Sequence, residues 1–107
     1  MNSERLYDIL SKYAVSQGIL LNRDREYVLE ILEGLLANEA RYGYRSCPCR
    51  LATGIRETDE DIICPCAYRD PDIKEYGSCY CKLYVSKDWN EKNIKHMRVP
   101  ERRSKRD

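Results

Sequence analysis

All six cysteines of the chain fall into three pairs with one residue between them: "CPC" at 47–49, "CPC" at 64–66 and "CYC" at 79–81. Thiolates are the soft ligands that hold zinc and iron–sulfur groups, and neighbouring thiols also exchange disulfides. Three assignments compete. Three disulfides would suit a secreted miniature scaffold, but cysteines this close bridge each other only with strain, so every bond would have to link different pairs. A structural zinc site usually takes wider knuckles, whose looped backbone aims two sulfurs at one ion. Pro48 and Pro65 fix φ and resist a helical turn between the sulfurs, and zinc leaves two cysteines without a role. A cubane iron–sulfur cluster is a larger body, and each of its irons takes one thiolate. Closely spaced ligands on extended loops can reach its adjacent corners. Two thiols then remain beside an electron source, which is a place for disulfide chemistry.

These sulfurs must be positioned by a small protein. The chain has 107 residues, one domain that should bury somewhat less than about 70% of its unfolded surface. Charged residues make up 35% of it, Lys+Arg 19 against Asp+Glu 18, so no global field draws it to nucleic acid. Phe is absent while Tyr numbers nine, so much of the aromatic surface carries a hydroxyl that needs a partner or water. No apolar run approaches the roughly 18 residues of a membrane span. The opening "MNSERLYDILSKYAVSQG" lacks the continuous apolar segment of a signal peptide. The expected compartment is a reducing cytoplasm, where structural disulfides are rare.

Residues 3–17 read as an amphipathic helix with Leu6, Ile9, Leu10 and Tyr13 on one face, Ser3 as cap and Gly18 as exit. A second helix is expected over 23–41. Asn22 or Asp24 caps it, Val28, Leu32, Leu35 and Leu36 form its stripe, and Gly43 ends it. Gly34 inside it costs about 1 kcal/mol relative to Ala. From Tyr44 onward the chain is too poor in aliphatic residues to build a core of its own. "RETDEDII" suggests a short helix with Thr58 and Asp61 in a capping arrangement, and "DPDIKEY" another with Asp70 at its cap and Pro71 at its first position. "KLYVS" reads as a brief extended piece and "SKDWNEKNIKH" as a weak terminal helix from Ser86. No alternation runs far enough to build a sheet. Something other than apolar burial must organise residues 44–85.

At the three cysteine pairs and their flanks, "RYGYRSCPCRLA", "DIICPCAYRD" and "CKLYVS", the sequence resembles the catalytic chain of ferredoxin–thioredoxin reductase. That family carries Cys-Pro-Cys, Cys-Pro-Cys and Cys-His-Cys in this order, and the resemblance covers about residues 22–89, pointing to a microbial branch. It implies a small, mainly α fold whose short helices and loops surround a 4Fe-4S cluster. Cys47, Cys64, Cys66 and Cys79 would ligate the cluster, and Cys49 and Cys81 would form the active-site disulfide. Cys49 would be the solvent-facing attacker and Cys81 the cysteine kept near the cluster. The implied activity is ferredoxin-dependent reduction of thioredoxin-like proteins. The implied partners are a ferredoxin or similar one-electron donor, a thioredoxin-like substrate and, as in the plant-type enzyme, a second subunit; neither membrane nor nucleic acid is expected.

Two departures stand out. The spacer 67–78 is longer than in plant-type chains, which an extra turn around "RDPDIKEYG" would absorb. Tyr80 stands where that family has the histidine thought to assist proton transfer, and a phenol titrating near pH ~10 is a poor shuttle at neutral pH. The only histidine, His96, lies in the C-terminal segment and could fold back. We divide the chain into a catalytic-chain-like domain, 1–89, and a basic tail, 90–107. The tail carries Lys92, Lys95, Arg98, Arg102, Arg103, Lys105 and Arg106. It would either steer an acidic ferredoxin or remain a solvated segment. A non-catalytic zinc-binding interaction module is the alternative from another class, and an electron-transfer protein with idle spare thiols is a third.

Overall fold

The computed structural model describes residues 1–92 and 94–102, and it is mainly helical. Helix α1 (Ser3–Ser16) packs on α2 (Arg25–Tyr42) through Leu6, Ala14, Val28, Leu32 and Leu35, all sealed from water. Each large aliphatic side chain buried this way contributes about 1.5–3 kcal/mol. Leu10 and Tyr13 lie against this core, but Ile9 is 44% exposed, because it sits at the edge of the stripe. Asn2, not Ser3, caps α1 by accepting from the Arg5 N–H at 2.9 Å. Asp24 caps α2 through the Tyr27 N–H, and Gly43 leaves it at φ 85°.

Gly34 has a purpose that helix propensity hides. A Cβ at this position would lie 2.8 Å from Pro48 Cβ and 3.3 Å from its Cγ, so the missing side chain is the seat for the first Cys-Pro-Cys loop.

The other half of the molecule is tied down by short polar links. Strand β1 (Leu20–Leu21) pairs antiparallel with β2 (Tyr84–Val85), Leu20 opposite Val85. The expected extended piece after the third pair therefore forms, within a two-residue ladder that no alternation pattern could announce. Asn22 extends the link: its N–H donates to Leu83 O at 2.9 Å and its amide to Lys82 O at 3.1 Å. Helix α3 (Arg56–Asp59) runs into a 3-10 turn, Glu60–Ile62. The expected capping by Thr58 and Asp61 is absent, since the first residue outside α3 is Ile55 and it makes no side-chain cap. Helix α4 (Arg69–Tyr76) begins ahead of the Asp70–Pro71 start read from sequence, and Asp70 pairs with Arg69 at 3.0 Å instead of capping. Ser86 does cap α5 (Lys87–Asn90), accepting from the Trp89 N–H at 3.2 Å. That helix stops well short of His96.

The described residues after Asn90 lie against the body rather than away from it. His96 folds back to stack on Trp89, ring centroids 3.7 Å apart, and Val99 is 2% exposed. Glu101 pairs with Arg50, and Arg102 with Asp72 and Glu75. Of the basic run, Arg103, Lys105 and Arg106 fall outside the described residues. Among the described residues, no helix is long and apolar enough to cross a membrane.

Candidate active site

Backbone hydrogen bonds bring the three cysteine pairs together. The Cys47 N–H donates to Ile62 O and the Cys64 N–H to Arg45 O, each at 2.8 Å, so the first two loops run side by side. The third pair tips a small hairpin. Its arms are joined where the Cys79 N–H donates to Tyr84 O at 2.9 Å and the Ser86 N–H to Gly77 O at 2.7 Å. Its turn is closed by the Lys82 N–H on Cys79 O at 2.9 Å, with Lys82 in the left-handed region at φ 62°. A non-glycine residue held there carries a strain of order 1 kcal/mol, a feature that clusters at functional sites.

Cys47, Cys64, Cys66, Cys79 and Cys81 all line one tight cavity of about 10 Å³. Arg50, Arg69, Tyr80 and Tyr84 complete its wall. Cys47, Cys79 and Cys81 are buried, Cys64 and Cys66 are half-buried, and Cys49 alone is exposed. The Sγ atoms of Cys47, Cys49 and Cys81 lie within 4.8 Å of one another, close enough to hold a metal ion, and Cys79 Sγ is 3.8 Å from Cys81 Sγ. All six thiols are free.

The local electrostatics separate these sulfurs. Hydrogen bonds from Cys49 and Cys81 lower the Cys47 thiol to about 3. The same bond raises Cys49 to about 11, and the sharing of protons with Cys47, Cys49 and Cys79 raises Cys81. The bond with Cys81 lowers Cys79 as well, so negative charge collects on Cys47 and Cys79. Burial raises Cys64 and Cys66. Among the donors that point at sulfur are the Tyr84 N–H, 3.3 Å from Cys79 Sγ, and Arg50 Nη1, 3.5 Å from Cys66 Sγ. A cavity walled by thiols and cations, with no carboxylate among its lining residues, has the donor chemistry of a thiolate-bound metal group.

Outside the cavity, Cys49 opens into a cleft of about 400 Å³ shared with Tyr80, Lys82, Arg98 and Val99. Lys82 also borders a neighbouring groove of about 670 Å³ that contains Tyr27, Lys92 and His96. Tyr80, the departure at the family's histidine, has its ring under the Arg50 guanidinium, 4.4 Å from the centroid. His96 folds back onto Trp89 and so reaches this groove rather than the cysteine cavity.

Arg50, Arg69 and Tyr84 line the cavity without having been singled out in the sequence, and two more missed residues, Tyr27 and Glu101, also belong to the site. Tyr27 donates its hydroxyl to Cys81 O, and burial followed by the nearby thiolates pushes it up to about 12, so it stays protonated. Glu101 grips Arg50 from a distant part of the chain. Neither sits in a motif; the adjacency of Cys49 and Arg50 was the one local signal, and it pointed to Arg50.

The chain matches the sequence model of the ferredoxin thioredoxin reductase catalytic beta chain over residues 2–104. It belongs to that family. The match spans nearly the whole chain, including the α1 segment that carries no cysteine. No curated protein sequence matches the chain. As a ferredoxin thioredoxin reductase catalytic chain it is an oxidoreductase of the disulfide-reducing kind, and its cysteine group is compatible with a bound metal centre.

Proposed function

We propose that the protein is a ferredoxin-dependent disulfide reductase in which Cys47, Cys64, Cys66 and Cys79 hold a 4Fe-4S cluster and Cys49 and Cys81 form the redox-active couple. One observation carries the reading. The exposed Cys49 and the buried Cys81 have sulfurs within 4.8 Å, and Cys81 borders the cavity lined by the other four cysteines. A small rotation brings such sulfurs to the ~2.05 Å of a disulfide.

The bound cluster supplies electrons singly, as a ferredoxin delivers them. Two electrons and two protons open the Cys49–Cys81 bridge. The freed Cys49 sulfur, the only one facing solvent, attacks the target disulfide; a mixed disulfide forms and one target thiol leaves. Cys81 then attacks Cys49, re-forms the bridge and releases the second thiol. Tyr27 steadies Cys81 by holding its carbonyl. With a ferredoxin near −400 mV and a thioredoxin near −270 mV the transfer is downhill by roughly 6 kcal/mol. The cleft around Cys49 holds two cations, Lys82 and Arg98, and no carboxylate among its lining residues. An acidic rim on the target suits it, so the described part of the basic tail serves the substrate side. A reducing cytoplasmic setting fits six free thiols.

The test is an iron and sulfide assay on anaerobically purified protein, followed by thioredoxin reduction with a reduced ferredoxin. About four irons and four sulfides per chain are expected, with activity lost in Cys49→Ser. Cys81→Ser should accumulate the mixed disulfide. A colourless protein containing one zinc would instead favour an interaction module, and an active Cys49→Ser protein would leave only electron transfer.

A further inference from the structure

We infer that Arg50 is a positioning residue that sets the electron affinity of the cysteine-bound centre, and that Glu101 attenuates its field. This rests on the cluster reading above.

The Arg50 side chain is only 2% exposed, and a buried cation persists only when its charge is matched. One edge of its fork is matched by Glu101, with Nε and Nη2 donating to the two carboxylate oxygens at 2.7 and 2.8 Å. The remaining donor, Nη1, lies 3.5 Å from Cys66 Sγ. The guanidinium carbon also lies over the rings of Tyr80 and Tyr68, 4.4 and 5.0 Å from their centroids. The guanidinium therefore cannot swing away, and one of its N–H groups is aimed at a thiol proposed to ligate the cluster.

The chemistry of that arrangement has a definite sign. A thiolate ligand becomes more electron-rich when its cluster is reduced. A fixed positive donor at the sulfur stabilises the reduced state more than the oxidised one and raises the potential; hydrogen bonds to sulfur and net charge are the protein's main controls on such centres. Glu101 opposes this with a negative charge on the far edge of the same guanidinium. If Arg50 merely tied the C-terminal segment to the body, cutting the tie from either end would have the same consequence. If it tunes the centre, the two ends must act in opposite directions.

The experiment uses the full iron-loaded chain. Iron per chain is measured first, then the midpoint potential of the cluster by a spectroscopically monitored titration, for Arg50→Gln, Arg50→Lys and Glu101→Gln. Arg50→Gln is expected to retain iron and shift the midpoint to more negative values. Glu101→Gln is expected to shift it to more positive values. Arg50→Lys, which keeps the charge without the fork, should recover part of the shift. If Arg50→Gln cannot hold iron, the sign of the Glu101→Gln shift decides. Unmoved potentials, or shifts of one sign in both, in fully iron-loaded variants overturn the inference alone. Native protein without iron overturns the cluster reading, and this inference with it.

Discussion

Between α1 and α2 the side chains without water contact are Leu6, Ala14, Val28, Leu32 and Leu35. In the region from Tyr44 to Ser78 the fully buried set joins Ile62 to four polar residues, Ser46, Asp59, Asp72 and Ser78. The first region is held by apolar burial, which is non-directional and tolerant of repacking. The second adds directional polar contacts, chiefly those of Asp59 and Asp72, around the cysteine loops. Asp59 shows how. Its carboxylate accepts from the Tyr44 hydroxyl, the Thr53 N–H and hydroxyl, and the Gly54 N–H, so one acid gathers the chain on both sides of Cys47 and Cys49. The helical scaffold meets the site at particular points, Gly34 under Pro48 and Tyr27 on the Cys81 carbonyl, whereas the cysteine half is scaffold and site at once.

That contrast can be broken by experiment. The largest stability loss is expected for Leu32→Ala, about 2–5 kcal/mol by chemical denaturation, with iron content and Cys49 alkylation rate of the remaining folded protein unchanged. If the site moves as well, the two halves are not separable. Asp59→Asn should cost about 2–3 kcal/mol and, in contrast, alter Cys49 alkylation and iron retention too. Asp59 also gives a pH signature. Burial works to raise its carboxyl, but the hydrogen bonds from Tyr44, Thr53 and Gly54 outweigh this and hold it below the ordinary aspartate value of 3.8. Its stabilising contribution is therefore complete above that value and disappears as pH falls through the depressed folded-state value. Asp59→Asn should flatten that part of the acid-unfolding curve.

Gly34→Ala sits on the boundary between the halves. Helix propensity favours it by about 1 kcal/mol, but the new methyl meets Pro48, and overpacking of this kind costs about 1–3 kcal/mol. The expected result is an intact α2 with a displaced Cys47–Cys49 loop, read as lower iron per chain. A stabilised variant with full iron would show that the loop is not seated on the helix. The smallest effect belongs to the surface cations: raising salt from about 0.05 to 0.5 M, which shortens the screening length to a few ångströms, should slow reduction of an acidic target several-fold. Lys82→Gln should blunt that dependence.

Much of the helical half was legible in residue order, because 3.6-residue periodicity, the Asp24 cap and the Gly43 exit are local signals. The bounds of α2 moved by only one or two residues from those expected. The three cysteine pairs were equally visible, since their spacing is itself a motif, and the family match spans them. Local signals failed where the partner is remote. Thr58 and Asp61 look like caps beside α3, yet Asp59 does the anchoring, because its partners come from both flanks of the first loop. Gly34 looked like a flaw until Pro48 was found against it.

The linear order of residues by itself determined the two amphipathic helices, the sulfur chemistry and the departure at Tyr80, because each is carried by neighbours along the chain. Only the folded molecule decided which sulfurs share a cavity, that Cys49 alone faces solvent, and that Glu101 closes on Arg50 from fifty-one positions away. Contacts of that reach depend on how the loops cross in space. No periodicity or spacing encodes the crossing.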